Sequence, residues 1–405
     1  MQVEAQTAPV AVSPLSAAPA ARLSPITLGL VALFGFLLPG MRQIDFAGGI
    51  VNACAADLVI LPVLLLVRGR LLRAGGLGYW IFALWMINLL SWTMSASLLT
   101  MKVFQRECIK LALCYTYAFA GFGIARELRS HGALVRGMLW SAIPMAAYGI
   151  LAFFTRRPDW FFDSDGSRVA GTFGDANAFG IYLGMVLPLM GSVRAGWLII
   201  PLFIGAGVVS FSRTGLASLG SALGLNALHL GLRRYLVVAL ACVVVFTTIY
   251  GIAVSTTKVG GRLANYHTSL EERQSLWGRA AGVAARHPVL GVGKGNWEAA
   301  SGSRTLPHNT FLSVMADGGV VGLAVFIIPV GIWVVRGLRR ASARPWAIAV
   351  VAGLVGGLAV SLDNFRPFWL AIGALVAQLS LAASYRATAV AARAGARSPL
   401  DRHWR

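Results

Sequence analysis

The sequence predicts an all-α integral membrane protein of about twelve transmembrane helices, with one large, partly helical external loop between the ninth and tenth. Three observations carry this. Of 405 residues, 57% are hydrophobic and 12% charged, against about 25% charged in soluble domains. The apolar residues gather in runs of the length that crosses a bilayer as a helix. The runs are continuous, as in 58–67 and 237–245, whereas a transmembrane β-barrel alternates polar and apolar positions.

Twelve spans are expected at 25–39, 48–67, 77–99, 107–125, 137–154, 173–190, 196–211, 214–230, 235–253, 309–335, 346–362 and 367–383. The seventh and eighth touch at "FSRTG" and read as a tight hairpin or one broken span. Arginine-rich connections at 68–73, 126–136, 233–234 and 336–344 fall on one side of this count. By the positive-inside rule that side is cytoplasmic, with both termini on it. Residues 1–21, rich in Ala, Pro and Ser, read as a disordered cytoplasmic tail. Spans one to nine then occupy 22–254, the external loop 255–308, the last three spans 309–385, and a basic cytoplasmic tail 386–405. Within the loop, 269–287 looks helical, with Ser269 as a cap, Glu271 and Glu272 in the first turn and Pro288 beyond the end. Arg273 and Trp277, four apart, share a face.

Composition also excludes function classes. The net charge of +20 would point to nucleic acid in a soluble protein. Here the arginines decorate loops and meet anionic lipid, and no recognition motif accompanies them. Cys54, Cys108, Cys114 and Cys242 all lie in apolar segments and read as packing residues. "GVGKGN" (291–296) fails as a phosphate loop: Pro288 stands where a glycine is required and Asn296 where a hydroxyl would meet Mg²⁺. There is no HExxH, no GxSxG and no Cys–His metal spacing. The "DSD" of Asp163–Asp165 reads as a solvated acidic pair before a metal site.

Four polar stretches interrupt the apolar pattern. In "FSRTG", Arg213 lies between two spans, flanked by Ser212, Thr214 and Gly215, in the manner of a phosphate site; the alternative is an arginine that snorkels to lipid. In "RVAGTFGDANAFG" (168–180), Asn177 nears the membrane face and Asp175 suits a helix cap. "ERQSLWGRAAGVAARHPVLGVGKGNW" (272–297) and "LPHNTFLSVMADGGVVG" (306–322) complete the set. Asp57 and Asp317, inside apolar spans, read as members of intramembrane pairs.

Read in order, these stretches resemble the O-antigen ligase and Wzy-type polymerase superfamily. The resemblance rests on Ser212-Arg213; on Gly171, Phe173 and Asn177; on Arg273, Trp277, His287, Pro288, Gly291 and Gly293; and on His308, Asn309, Leu312, Gly319 and Gly322. It implies an enzyme of the bacterial inner membrane, working at the periplasmic face without metal or other cofactor. The implied donor is a glycan on undecaprenyl diphosphate, and for a ligase the acceptor is the lipid A–core oligosaccharide. A polymerase would instead use another lipid-linked repeat unit, and a further relative would use a protein hydroxyl. A neutral histidine suits removal of a proton from a sugar hydroxyl, which marks His308 as a candidate base; the alternative is a capping or packing histidine. Arg213 and Arg273 are candidate ligands for the diphosphate. Arg168, Asn177, Ser212, Arg279, Arg286 and Asn309 are candidate substrate contacts. A transporter of an amphipathic anion is the competing class. Its site would lie near the midplane between repeats, whereas the polar residues here gather beside external segments.

Overall fold

The computed structural model describes residues 24–395 apart from 47–48, 99, 164–165, 167, 193–195, 231–243 and 245–265. The expected ninth span, and Lys258 and Arg262 of the loop, lie outside the described residues. Among the described residues, five helices are long and apolar enough to cross a membrane. They are α3 (Gly75–Met94), α4 (Met101–Ala125), α5 (Leu128–Thr155), α11 (Thr310–Leu338) and the first part of α13 (Arg366–Gly395). Shorter helices join them: α1 (Pro25–Leu37), α2 (Ile60–Leu71), α6 (Ala176–Val186), α7 (Ile200–Val209), α8 (Arg213–Leu230) and α12 (Arg344–Gly357). Two further helices belong to the loop before α11: α9 (Tyr266–Arg286) and α10 (Trp297–Ser301). The chief packings are α4 on α13, α1 on α5, and α6 on α8 and α12.

One expected span departs from this pattern. Residues 48–67 do not form a single helix. An antiparallel hairpin, β1 (Met41–Phe46) with β2 (Gly49–Cys54), comes first, in the register Met41↔Cys54 to Phe46↔Gly49. A 3-10 turn at Ala55–Leu58 follows, and α2 begins only at Ile60. Asp57 supplies the reason. Its carboxylate accepts the Cys54 N–H at 2.9 Å and the Tyr117 hydroxyl at 2.7 Å, and Arg366 stands 3.6 Å away. A carboxylate in an apolar segment needs such partners, and a turn brings them together where a continuous helix does not. The seventh and eighth expected spans are two helices, α7 and α8, joined by a tight turn at 210–212.

The expected loop helix is present as α9, but it starts at Tyr266, so Ser269 lies inside it rather than capping it. Asn309 caps α11, its Oδ1 accepting the N–H groups of Phe311 and Leu312 at 3.0 and 3.1 Å. Ten residues on, α11 breaks at Gly319 (φ 63°, ψ −164°). A break inside an apolar span strands backbone groups that lipid cannot satisfy. The segment 288–293 satisfies them. The Val292 and Gly293 N–H groups donate to the carbonyls of Ala316 and Asp317 at 2.9 and 2.8 Å. In return, Val320 and Val321 N–H groups donate to Pro288 and Val289 carbonyls at 2.8 and 3.3 Å. The loop is thereby stitched into the helix.

That exchange gives the glycines of 291–296 their purpose. Gly291, Gly293 and Gly295 all have positive φ, at 63°, 80° and 89°. Each presses on a different helix: Gly291 on the α11 backbone at Ala316–Asp317, Gly293 on Trp92 of α3, and Gly295 on Glu107 of α4. A small core of Ala280, Val283, Val292, Trp297 and Ala316 closes the space between α9 and α11.

Gly319→Ala tests the stitch. A Cβ there would collide with the Val289 backbone in a conformation that side chains disfavour. The substitution is expected to cost about 1–3 kcal/mol, read as a lower melting temperature in detergent. Gly331→Ala, in the same helix with nothing within 4 Å of the new Cβ, is expected to change stability by less than about 0.5 kcal/mol.

Candidate active site

Three structural units converge on the polar residues singled out by sequence. The first is the paired N-termini of α6 and α8. These helices cross at Gly180 and Gly215, where a Cβ on Gly180 would lie 2.5 Å from the Gly215 Cα. Small residues at such a crossing let membrane helices approach closely. Asp175 caps α6, accepting the N–H groups of Asn177 and Ala178 at 2.6 and 3.1 Å. Ser212, buried, accepts the Gly215 N–H at 2.9 Å and donates its hydroxyl to Asn177 Oδ1 at 2.8 Å. Ser212 and Asn177 thus lock the two helix starts together. Arg213, the first residue of α8, is exposed beside them.

The second unit is the segment 161–170. Its backbone pairs Phe162 with Val169, and the Val169 N–H reaches the Val209 carbonyl at the end of α7 at 3.4 Å. Within it Arg168 donates from Nε to Asp163 at 2.5 Å. Asp163 of "DSD" is therefore an ion-pair partner of an arginine; Asp165 lies outside the described residues.

The third unit is the strap 302–309 under α9. The Trp277 indole N–H donates to the Pro307 carbonyl at 3.0 Å, and Trp297 donates to the Thr305 carbonyl at 2.9 Å. Asn309 Nδ2 donates to the Leu358 carbonyl at 2.9 Å. His308, between these anchors, is held at φ 48°, a conformation uncommon for non-glycine residues and characteristic of constrained functional positions.

The units meet electrostatically. Arg273 lies on α9 one turn before Trp277. Burial lowers its pKa, and so do Arg168 and Arg213, while Asp175 acts in the opposite direction. Three guanidiniums from three units thus share one field. His308 borders it. Desolvation by the surrounding protein and then the charge of Arg273 push its imidazole below the ordinary 6.5, again opposed by Asp175. Both effects favour the neutral imidazole. The arrangement attracts an anion and sets a neutral imidazole beside it.

Two sequence candidates fall outside this cluster. Arg279 and Arg286 lie seven apart on another face of α9, where they donate to the carbonyls of Ser301 and Ala300 at 3.3 and 3.1 Å. They fasten α9 to α10. The structure also reveals a group that sequence reasoning did not select. Lys294, carried by the glycine turn, contacts Asp363 at 2.5 Å and Asp317 at 3.9 Å. Burial would pull Lys294 down, but Asp363, Asp317 and Glu107 outweigh it and hold the ammonium above its ordinary value. Burial would likewise raise Asp363, and Lys294 holds it below the usual carboxylate range. The available signal was a lysine between two glycines in an apolar neighbourhood.

Residues 183–327 match the family model Wzy_C, O-antigen ligase. That segment is similar to the O-antigen ligase family. No curated protein matches the chain. The matched segment contains Ser212, Arg213, Arg273, Trp277, Gly291, Gly293, His308, Asn309, Gly319 and Gly322; Arg168, Asp175 and Asn177 precede it. The O-antigen ligase domain supports a ligase- or polymerase-type activity of glycosyltransferase character.

The field around His308 is open to titration. Diethylpyrocarbonate modifies neutral imidazole, and the His308 share follows by subtraction of His308→Ala. Its midpoint is expected below 6.5. Arg273→Gln is expected to move it up, since a nearby cation is removed, and Asp175→Asn to move it down, since a nearby anion is removed.

Proposed function

We propose that the protein transfers a glycan from undecaprenyl diphosphate to the lipid A–core oligosaccharide at the periplasmic face of the inner membrane, without a metal ion. The observation that carries this is the convergence of Arg213, Arg273 and Arg168 beside a neutral His308. Diphosphate is a stable leaving group, and what it needs on departure is positive charge held in place. The guanidiniums offer that charge, with the N-terminal ends of α6 and α8 behind them. A sugar hydroxyl needs a base matched to neutral pH, and an imidazole below 6.5 is one.

In the proposed step the acceptor oxygen attacks the anomeric carbon as His308 takes the hydroxyl proton. The new carbon–oxygen bond forms while the bond from the anomeric carbon to the diphosphate oxygen breaks. The electron pair leaves on the diphosphate, under Arg213 and Arg273. One displacement inverts the anomeric configuration. Asn177 and Ser212 hold the loop that presents Arg213, and Asn309 holds the turn that presents His308. Arg168 adds charge while tied to Asp163. The net positive charge of the cluster suits a diphosphate donor and would equally suit a transporter of an amphipathic anion; the imidazole beside that charge is what favours group transfer.

In proteoliposomes supplied with undecaprenyl-diphosphate-linked glycan and rough lipopolysaccharide, His308→Ala is expected to lower the transfer rate about 100-fold or more while donor lipid still binds. Normal transfer by that variant would remove His308 as the base. Arg213→Lys keeps the charge but loses the planar fork, and is expected to recover only a small part of the activity. Product length distinguishes a single transfer to lipid A–core from chain growth on the donor lipid. The rate is expected to fall as pH drops through the lowered pKa of His308, so its acid limb lies below 6.5.

A further inference from the structure

A chamber opens beside the strap that carries His308. Its volume is about 630 Å³, within the range of roughly 300–1,000 Å³ typical of small-ligand sites. It lies between α4, the glycine turn, the strap and the turn before α13, and Pro307, the neighbour of His308, forms part of its wall.

The chemistry of this chamber differs from that of the guanidinium cluster. Four cationic and four carboxylate side chains line it, so it offers no excess charge to an anion. Its ions are already paired with one another. Lys294 bridges Asp363 and Asp317. Glu107 holds Lys110 at 2.9 Å and Arg106 at 3.0 Å. Each pair fixes its side chains and leaves carboxylate lone pairs and ammonium or guanidinium N–H groups in set positions. The hydroxyls of Ser313 and Ser361, 3.3 Å apart, add groups that both donate and accept. A ligand matched to such walls must itself donate and accept at many points while carrying little net charge where it binds. A polyhydroxylated ring does this; a phosphate, which only accepts when fully ionised, does not.

We infer that this chamber binds a hydroxyl-rich glycan and brings it to His308 along the strap. The inference rests on the transferase reading above. The glycan has two possible sources: the acceptor oligosaccharide, or sugars of the donor beyond the one attached to diphosphate. The lysine bridge has a definite part in either case. It joins the glycine turn, α11 and the turn before α13, and so sets the width of the chamber.

The test reads occupancy without turnover. Ser361→Cys is introduced into the His308→Ala variant in proteoliposomes, and a membrane-impermeant maleimide labels it. The native cysteines are accounted for with the His308→Ala parent. Three probes are compared: rough lipopolysaccharide, undecaprenyl-diphosphate-linked glycan and bare undecaprenyl diphosphate. A glycan-bearing lipid present at about ten times its Kd is expected to slow labelling about tenfold, while bare undecaprenyl diphosphate leaves it unchanged. Protection by the first probe makes the glycan the acceptor, and protection by the second alone makes it the donor's. Labelling unchanged by both, or slowed equally by bare undecaprenyl diphosphate, overturns the inference. Protection together with full transfer by His308→Ala would leave the glycan site standing and remove the base. As a second variant, Ser361→Trp fills the chamber and is expected to raise the KM for the glycan about tenfold or more while donor lipid binding holds; an unchanged KM counts against the chamber.

Discussion

The exchange of backbone hydrogen bonds between the break in α11 and the segment 288–293 is the constraint on which the rest of the external architecture depends. A transmembrane helix that breaks at Gly319 leaves carbonyls before the break and N–H groups after it without partners. In an apolar surround each such group costs several kcal/mol. Val292, Gly293, Pro288 and Val289 answer all four. Once they do, 288–296 has no freedom to sit elsewhere. α9 ends at Arg286 immediately before it, so the face of α9 carrying Arg273 and Trp277 is fixed as well. Trp277 then fixes Pro307, and Pro307 the backbone of His308. A helix interruption within the membrane region is thus the origin of the geometry outside it.

Two electrostatic regimes border the same strap. On one side guanidiniums from α8, α9 and the 161–170 segment share one field, and burial first, then Arg168 and Arg213, lower the Arg273 pKa. Their carboxylate company is Asp163 and Asp175, both tied down, one by Arg168 and the other by the α6 cap. On the other side charges are matched in number and joined in pairs. The first regime stabilises negative charge arriving or developing; the second offers hydrogen bonds without net charge. A reaction that separates a diphosphate from a sugar and joins that sugar to a hydroxyl calls for both.

Much of this was legible in the sequence, and the limits are physical. Long apolar runs identify helices because the bilayer fixes their length, and Asp175 and Asn309 could be read as near helix starts because capping is local. The ordered motifs place Arg213, Arg273 and His308 in one family pattern. The hairpin at 41–54 was not legible: its apolar content passes for a helix, and what breaks the span is a contact between Asp57 and residues 60 and 309 positions away. Arg279 and Arg286 are candidates as arginines of the same loop as Arg273, yet they lie together on another face of α9, bonded to α10. "GVGKGN" departs from a phosphate loop in its residues. Its actual task, packing backbone against three helices, depends on neighbours that no local pattern contains.

His308 shows how that packing becomes chemistry. A left-handed backbone at a histidine is unfavourable by itself and persists only where the surroundings over-determine it. Here they do so from both directions. Trp277 and Trp297 hold the carbonyls of Pro307 and Thr305 before it, and Asn309 after it grips the first turn of α11 and the carbonyl of Leu358 together. Phe211, at φ 45°, stands in the corresponding position before Ser212 and Arg213, where Ser212 clamps the next turn to Asn177. The two side chains proposed to do opposite work, one taking a proton and one holding the departing charge, are therefore presented in the same way. Each follows or occupies a strained residue at a helix start, and each is secured by a polar side chain that bonds across to another element. The cross-bonds hold both turns in place, so the rigidity of the two positions has the same kind of source.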